Sequence, residues 1–297
     1  MNTEVFVAKR KALKLSQVKL CAGICTQATL SKFENGSRLP SLTILTKLCA
    51  RMGFGIEVLY QPTADGTIES AKKLAKVEQS IMIEDYPHAL EVLDQVDQTV
   101  LDSVPLKLQY YYLRGVLTTL INGKMDGILF DFSVILNELD ISHRTVFTVL
   151  AFLGSGILYD RHGKTDAAAF YFNKVRAYLS NKNEADRDRT DPIFQLRLLM
   201  MVYYTAAYYT HHQQYQISQS LIDMGISLCA TQHMTYYLPS LKFLAAQNAV
   251  SERQPTAAVQ TLIADTLAFA KINGNEVIEV KIAALKRRIE EQMVFPL

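Results

Sequence analysis

No stretch of this chain stays apolar for the ~18 residues that a membrane span needs. No charged-then-apolar leader opens it, so no secretory signal is expected. The glycine spacing of a phosphate loop is missing. Gly154-Ser155-Gly156 is not a G-x-S-x-G elbow and falls within a helical stretch. No nucleophile or acid–base constellation can be assembled, so the chain reads as no enzyme. Cysteine is scarce, at four in 297 residues, which suits a reducing cytoplasm. Cys21 and Cys25 make a C-x3-C with Cys49 nearby, but the first 60 residues contain no histidine. A structural zinc site wants four ligands, so these cysteines read as small buried hydrophobes. His211 and His212 are adjacent, and their rings are expected to point apart at a wet helix end. No metal and no cofactor are expected.

Alternating strand patterns are also missing, and what remains is helical throughout. Forty-nine per cent of the residues are apolar, enough for a large core. The net charge of +2 is unevenly placed. Residues 1–60 carry nine Lys/Arg against three acids, a net of +6, which leaves −4 for the rest. A basic head on a mildly acidic body fits one nucleic-acid-binding module and one with another task.

In the head, the stretch Leu15 to Gly36 reads as two short helices and a tight turn. Ser16 and Thr26 are N-cap candidates, because a hydroxyl there can accept from a free backbone N–H. Gly23 permits the bend between the helices. The second helix runs from Gln27 to Glu34 and ends at Asn35-Gly36. Its Leu30 and Phe33 face inward, whereas Gln27, Ser31 and Lys32 lie elsewhere on its surface. A short polar helix laid across a supporting helix is the form of a helix-turn-helix. An earlier helix over residues 4–14 has Val5, Ala8, Ala12 and Leu15 as its apolar stripe. A fourth helix begins at Ser41, and a short fifth spans Phe54 to Leu59.

The segment L-S-Q, then T-Q-A-T-L-S-K-F-E-N-G, then R-L-P-S-L-T-I-L-T-K-L-C resembles the Xre/Cro-type helix-turn-helix family over about the first 60 residues. The resemblance implies that the helix beginning after Thr26 reads DNA. Base-reading positions fall on Gln27, Ala28 and Lys32, and phosphate-touching positions on Gln17, Asn35 and Arg38. It also implies a buried ion pair between Arg10 and Glu34. Two departures stand out: the turn is one residue shorter than usual, and Ala28 replaces a common polar reader.

Residues 62–66 read as a linker between a 1–61 DNA-binding domain and a 67–297 repeat domain. Eleven helices follow, with short breaks and a loose repeat of about 40 residues. They make about five helix pairs and a capping helix. Leu153 to Val175, with its L-G, Tyr159, Gly163, Ala167/Ala168 and Phe172, resembles a tetratricopeptide repeat. Stacked pairs of that kind make a superhelix whose first helices line a concave face. Those first helices carry tyrosine clusters. Arg114, Arg197, Tyr111, Tyr204, Tyr208, Tyr237 and Asn248 are therefore the candidates for holding a peptide. The alternative for each is ordinary packing between helices.

Head and repeats together resemble the Rgg- and PlcR-type peptide-pheromone receptors of bacteria. The resemblance implies a cytoplasmic dimer on double-stranded DNA, controlled by a short signalling peptide in its concave face, which alters DNA binding or RNA polymerase recruitment. The competing expectation keeps the DNA-binding head and makes the repeats a protein–protein or dimerisation scaffold.

Overall fold

The computed structural model describes residues 3–59, 64–181 and 191–294, and among them it is built of helices joined by turns, with no strand. The head contains α1 (Thr3–Ala12), α2 (Gln17–Cys21), α3 (Gln27–Glu34) and α4 (Leu42–Arg51). The expected fifth helix is a single 3-10 turn, Ile56–Leu59. The Ser16, Thr26 and Ser41 side chains each accept a backbone N–H three residues on, as N-caps should. Gly23 makes the bend after α2 with φ +70°, a conformation that costs glycine little.

The head's core is Phe6, Leu20, Leu30, Phe33, Leu45, Leu48 and Leu59, with Cys21 and Cys49 among them. The expected stripe on α1 is corrected here. Ala8 and Ala12 are exposed, and Phe6 is the fully buried residue, edge-on to Phe33 with ring centroids 5.0 Å apart. On so short a helix, one large aromatic ring sets the inward face, and the small alanines do not compete with it. Arg10, one turn beyond Phe6, shares that face.

The other helices are α5 (Ala64–Met82), α6 (Tyr86–Asp94), α7 (Val104–Leu120), α8 (Met125–Val134), α9 (Val146–Arg161), α10 (Thr165–Ser180), α11 (Pro192–His211), α12 (Tyr215–Gln232), α13 (Leu238–Ser251), α14 (Thr256–Asn273) and α15 (Glu276–Val294). The chain divides into two compact units, Met1–Lys72 with Asp97–Ser103, and Lys73–Val96 with Val104–Leu297. The division falls inside α5. The 62–66 linker expected from the sequence lies partly outside the described residues.

In the second unit α7 packs on α8, α9 on α10, α11 on α12 and α13 on α14. Each first helix also packs on the next: α7 on α9, α9 on α11, α11 on α13. This is the stacking that a helix-pair repeat dictates. Small residues allow the close approach. A Cβ on Gly154 of α9 would lie 2.1 Å from the Phe132 ring of α8, and one on Gly115 of α7 would lie 2.6 Å from the same ring. Phe132 therefore fills the space that two glycines leave. Asp140 joins α8 to α9. Its buried carboxylate accepts the Arg144 and Thr145 N–H groups and the Thr145 and Thr148 hydroxyls, holding the start of α9.

Candidate DNA-reading face and ligand-binding core

The DNA-reading candidates gather on one polar line of side chains. Arg10 donates through Nε and Nη2 to the two Glu34 oxygens at 2.6 and 2.7 Å. Its Nη1 donates to the Leu15 carbonyl at 2.7 Å. Side-chain exposures of 11% and 6% make this a nearly buried pair, as the resemblance implied. Gln17 donates its amide to Glu34 Oε2 at 2.9 Å, and Gln27 donates to Gln17 Oε1 at 3.2 Å. A carboxylate accepts only, so Glu34 fixes which way the Gln17 amide faces. That leaves the Gln17 oxygen for Gln27, and Gln27 is held at the exposed start of α3. Burial raises the Glu34 carboxyl, but the hydrogen bonds from Arg10 and Gln17 and the charges of Arg10 and Lys11 outweigh it. The net displacement is below the usual carboxylate range.

Thr26, Gln27, Ala28, Lys32, Asn35 and Arg38 are all exposed, and Gln17 is half-buried beneath Gln27. An amide presented in this way can pair with adenine, and Lys32 with guanine or phosphate. One positioning residue was not legible in the sequence. Arg51 of α4 donates to the Leu20 and Ala22 carbonyls, where α2 runs out of intrahelical partners.

The first helices of the repeat unit arrange their candidates differently. Arg197 of α11 donates through Nε and Nη2 to Glu78 of α5 at 2.7 and 2.9 Å, with side-chain exposures of 10% and 5%. Gln109 of α7 also donates to Glu78, at 3.1 Å, and the Arg197 guanidinium lies 4.7 Å from the Phe147 ring centre. Its Nε and Nη2 are thus both engaged by Glu78 within the repeats, which is the packing alternative for this candidate. Arg114 is held by both Asp131 oxygens and donates to the Tyr110 hydroxyl at 3.0 Å. Tyr111 lies against this arginine, 5.2 Å from ring centre to guanidinium. Tyr208 stacks on Phe172 of α10 at 4.0 Å and is buried between helices. Asn248 accepts from Thr210 at 2.9 Å and donates to Ser218 at 3.1 Å, so it ties α11, α12 and α13 together.

Tyr204 and Tyr237 do come together. Tyr203 stacks on Tyr237 at 5.0 Å, Tyr204 meets both rings edge-on, and its hydroxyl lies 3.5 Å from that of Tyr86. Burial holds the Tyr203, Tyr204 and Tyr237 phenols far above their ordinary pKa, so they stay neutral. The Tyr237 hydroxyl is buried with no hydrogen-bond partner among the described residues. Beside it a cavity of about 290 Å³ is lined by Met82, Glu84, Tyr236, Tyr237, Ser240 and Asn275, among others.

Sequence reasoning missed Glu78, Glu84 and Tyr86. For Glu78 a signal existed: it interrupts the buried stripe Leu74, Val77, Ile81 of α5. An acid on an apolar face needs a buried cation, and Arg197 on α11 was the matching break in another apolar helix. His211 and His212 were expected to diverge, but both rings turn toward Asp160.

Among the described residues no helix is long and apolar enough to cross a membrane.

Residues 8–59 match the family model described as Helix-turn-helix, so the head is a DNA-binding domain of that family. No curated protein matches the chain. Three solved structures are similar over nearly the whole length. PlcR of Bacillus thuringiensis, in complex with the peptide PapR7 and DNA, is 15% identical with a TM-score of 0.57, covering 96% of this chain and 97% of that one. ComR of S. thermophilus, in complex with DNA and its signalling peptide ComS, is 17% identical with a TM-score of 0.57, covering 95% and 97%. The apo form of the competence regulator ComR from Streptococcus vestibularis is 17% identical with a TM-score of 0.58, covering 95% of each. The chain therefore has the fold of these regulators: a helix-turn-helix head followed by helical repeats.

Proposed function

We propose that this protein is a cytoplasmic, dimeric transcription regulator whose DNA binding is controlled by a short, mostly apolar peptide in its repeat unit. The DNA half of that reading rests on the line Arg10–Glu34–Gln17–Gln27, which orients a polar reader on an exposed, capped helix. The peptide half rests on the tyrosine cluster of α11 and the start of α13, beside a cavity of about 290 Å³. Aromatic rings there can bury apolar side chains, and neutral phenols can bond a peptide backbone. PlcR and ComR have each been crystallised with DNA and a peptide, which supports the combination.

The dimer reads two half-sites roughly 34 Å apart, one helical turn, with Gln27 and Lys32 at the bases and Arg38 at phosphate. Peptide and DNA are coupled only if the peptide prefers one of two states of the protein. One set of observations favours the second reading, a scaffold without a peptide. Arg197, Tyr208 and Asn248 are all occupied by neighbours within the repeats.

The two readings separate in one titration of full-length protein, following operator fluorescence anisotropy. The titrants are synthetic peptides matching short exported reading frames beside the gene. The expected result is saturable binding by one such peptide that changes operator affinity. No effect from any of them leaves the scaffold ahead. In the same assay Arg38→Ala should weaken all DNA sequences about equally and lower the salt slope by about 1. An unchanged slope with one altered operator position would remove Arg38 from the phosphate role.

A further inference from the structure

Two helix ends meet where α9 and α11 pack together. Asp160 is the penultimate residue of α9, and His211 and His212 close α11. His212 Nε2 lies 2.7 Å from Asp160 Oδ1, and His211 Nδ1 lies 3.7 Å from Asp160 Oδ2. One ligand atom from each residue lies within 4.8 Å of the other two. Among the described residues, no other group of three histidine, cysteine or carboxylate side chains converges in this way.

We propose that Asp160, His211 and His212 form a binding site for a divalent transition metal, best matched by Zn²⁺. Imidazole nitrogen and carboxylate oxygen both suit zinc, at about 2.0–2.2 Å each. Donors at that radius in a tetrahedron stand roughly 3.3–3.5 Å from one another. The two carboxylate–imidazole separations, 2.7 and 3.7 Å, bracket that value and the two imidazole nitrogens lie within 4.8 Å of each other, so side-chain rotations would bring all three onto one ion. Three protein ligands leave the fourth position to water. Electrostatics favour a cation here. The last carbonyls of α9 and α11 place the negative ends of two helix dipoles beside a carboxylate. The nearest arginine in sequence, Arg161, is turned away, with its guanidinium bonded to the Thr119 and Leu120 carbonyls and to Asn122.

The access is right for exchange with solvent. The His211 side chain is 75% exposed, whereas Asp160 and His212 are mostly covered, at 21% and 25%. Tyr208 packs against the His212 ring at 4.4 Å and limits its rotation. An ion here would pin two consecutive first helices to each other. The site needs neither peptide nor DNA, so it stands or falls apart from the regulatory reading.

The test uses the full chain with no histidine tag, stripped with chelator and titrated with Zn²⁺ by calorimetry. Co²⁺ serves as the visible probe. The expected result is one ion per chain, Co²⁺ bands of a four-coordinate nitrogen–oxygen site, and a higher thermal midpoint with Zn²⁺. His212→Ala and Asp160→Asn should each lower affinity by on the order of 100-fold, given that even outer-shell changes lower metal affinity 10–100-fold. His233→Ala, remote from the cluster, should change nothing. If the two covered positions do not fold when changed, His211→Ala at the exposed end carries the test with an expected loss of at least about 10-fold. The absence of stoichiometric binding would overturn the site. So would binding that survives all three substitutions.

Discussion

The head and the repeat unit each bury an arginine–glutamate pair held by two hydrogen bonds, and the two pairs have different tasks. Arg10–Glu34 has its outer edge open to Gln17 and, through it, to Gln27 on the surface. Arg197–Glu78 is enclosed by Gln109, Phe147 and Tyr112. In the head, a charged pair orients the groups proposed to meet DNA. In the repeats, the same chemistry clamps α5 to α11, residues 119 apart in sequence. A charge placed under a binding surface transmits orientation outward, whereas a charge sealed in a core only joins helices.

The largest effect should come from unpairing the sealed clamp. Glu78→Ala leaves the Arg197 charge buried without its partner, at a cost of about 3–5 kcal/mol. Replacing both, as Glu78→Leu with Arg197→Met, should recover most of that, because two apolar side chains need no compensation. Chemical denaturation followed by circular dichroism reads both. A single variant as stable as the parent would mean that water reaches Arg197, and the contrast with the head would collapse.

Glu34→Ala should cost less, about 3 kcal/mol at the low end of the same range, because Arg10 keeps the Leu15 carbonyl and is slightly more exposed. Hydrogen exchange of α1 and α3 amides in the full chain measures it locally. The pair also carries a pH dependence. The Glu34 carboxyl is displaced downward in the folded state. Its contribution is therefore fully present above the unfolded carboxylate value of about 4.3, and is lost as pH falls through the lower folded value. Protection of α1 and α3 that is flat through that acid window would show that the pair contributes nothing.

The same comparison explains what the sequence made legible. The caps at Ser16, Thr26 and Ser41 were readable because capping is local, decided within three residues. Gln27 to Glu34 was readable for the same reason, and Arg10–Glu34 through resemblance to a common family. The stripe on α1 misled in part: Val5 and Leu15 do pack against the core, but Ala8 and Ala12 are exposed and the fully buried Phe6 was left out. In the repeats the succession of eleven helices was legible, but the fate of each polar residue was not. Arg197 and Asn248 looked like ligand-binding groups because their partners, Glu78, Thr210 and Ser218, lie on other helices. Periodicity tells which face a residue takes, and only the stacking of helix pairs tells what that face meets.

The smallest change in stability should come from Gln17→Ala, and it sharpens the comparison most. Gln17 is half-buried, and its removal leaves the Arg10–Glu34 fork complete. The loss of one hydrogen bond to a charged acceptor costs roughly 1.5 kcal/mol, and water can replace part of it. Gln27, however, loses the carbonyl that orients its amide. A free glutamine side chain still reaches DNA but must pay rotamer entropy to present one geometry. Discrimination at the operator position that Gln27 reads should therefore fall by about 1 kcal/mol, near the low end for one bidentate base contact. Affinity for non-specific DNA should hold if the Gln17 amide, already engaged by Glu34, touches no phosphate. Competition binding against operators substituted one base at a time measures both. A uniform loss across all sequences would assign Gln17 to phosphate, as the family resemblance implied. A selective loss at one position would assign it to orienting the reader, and unchanged binding everywhere would reduce the polar line to a structural feature of the head.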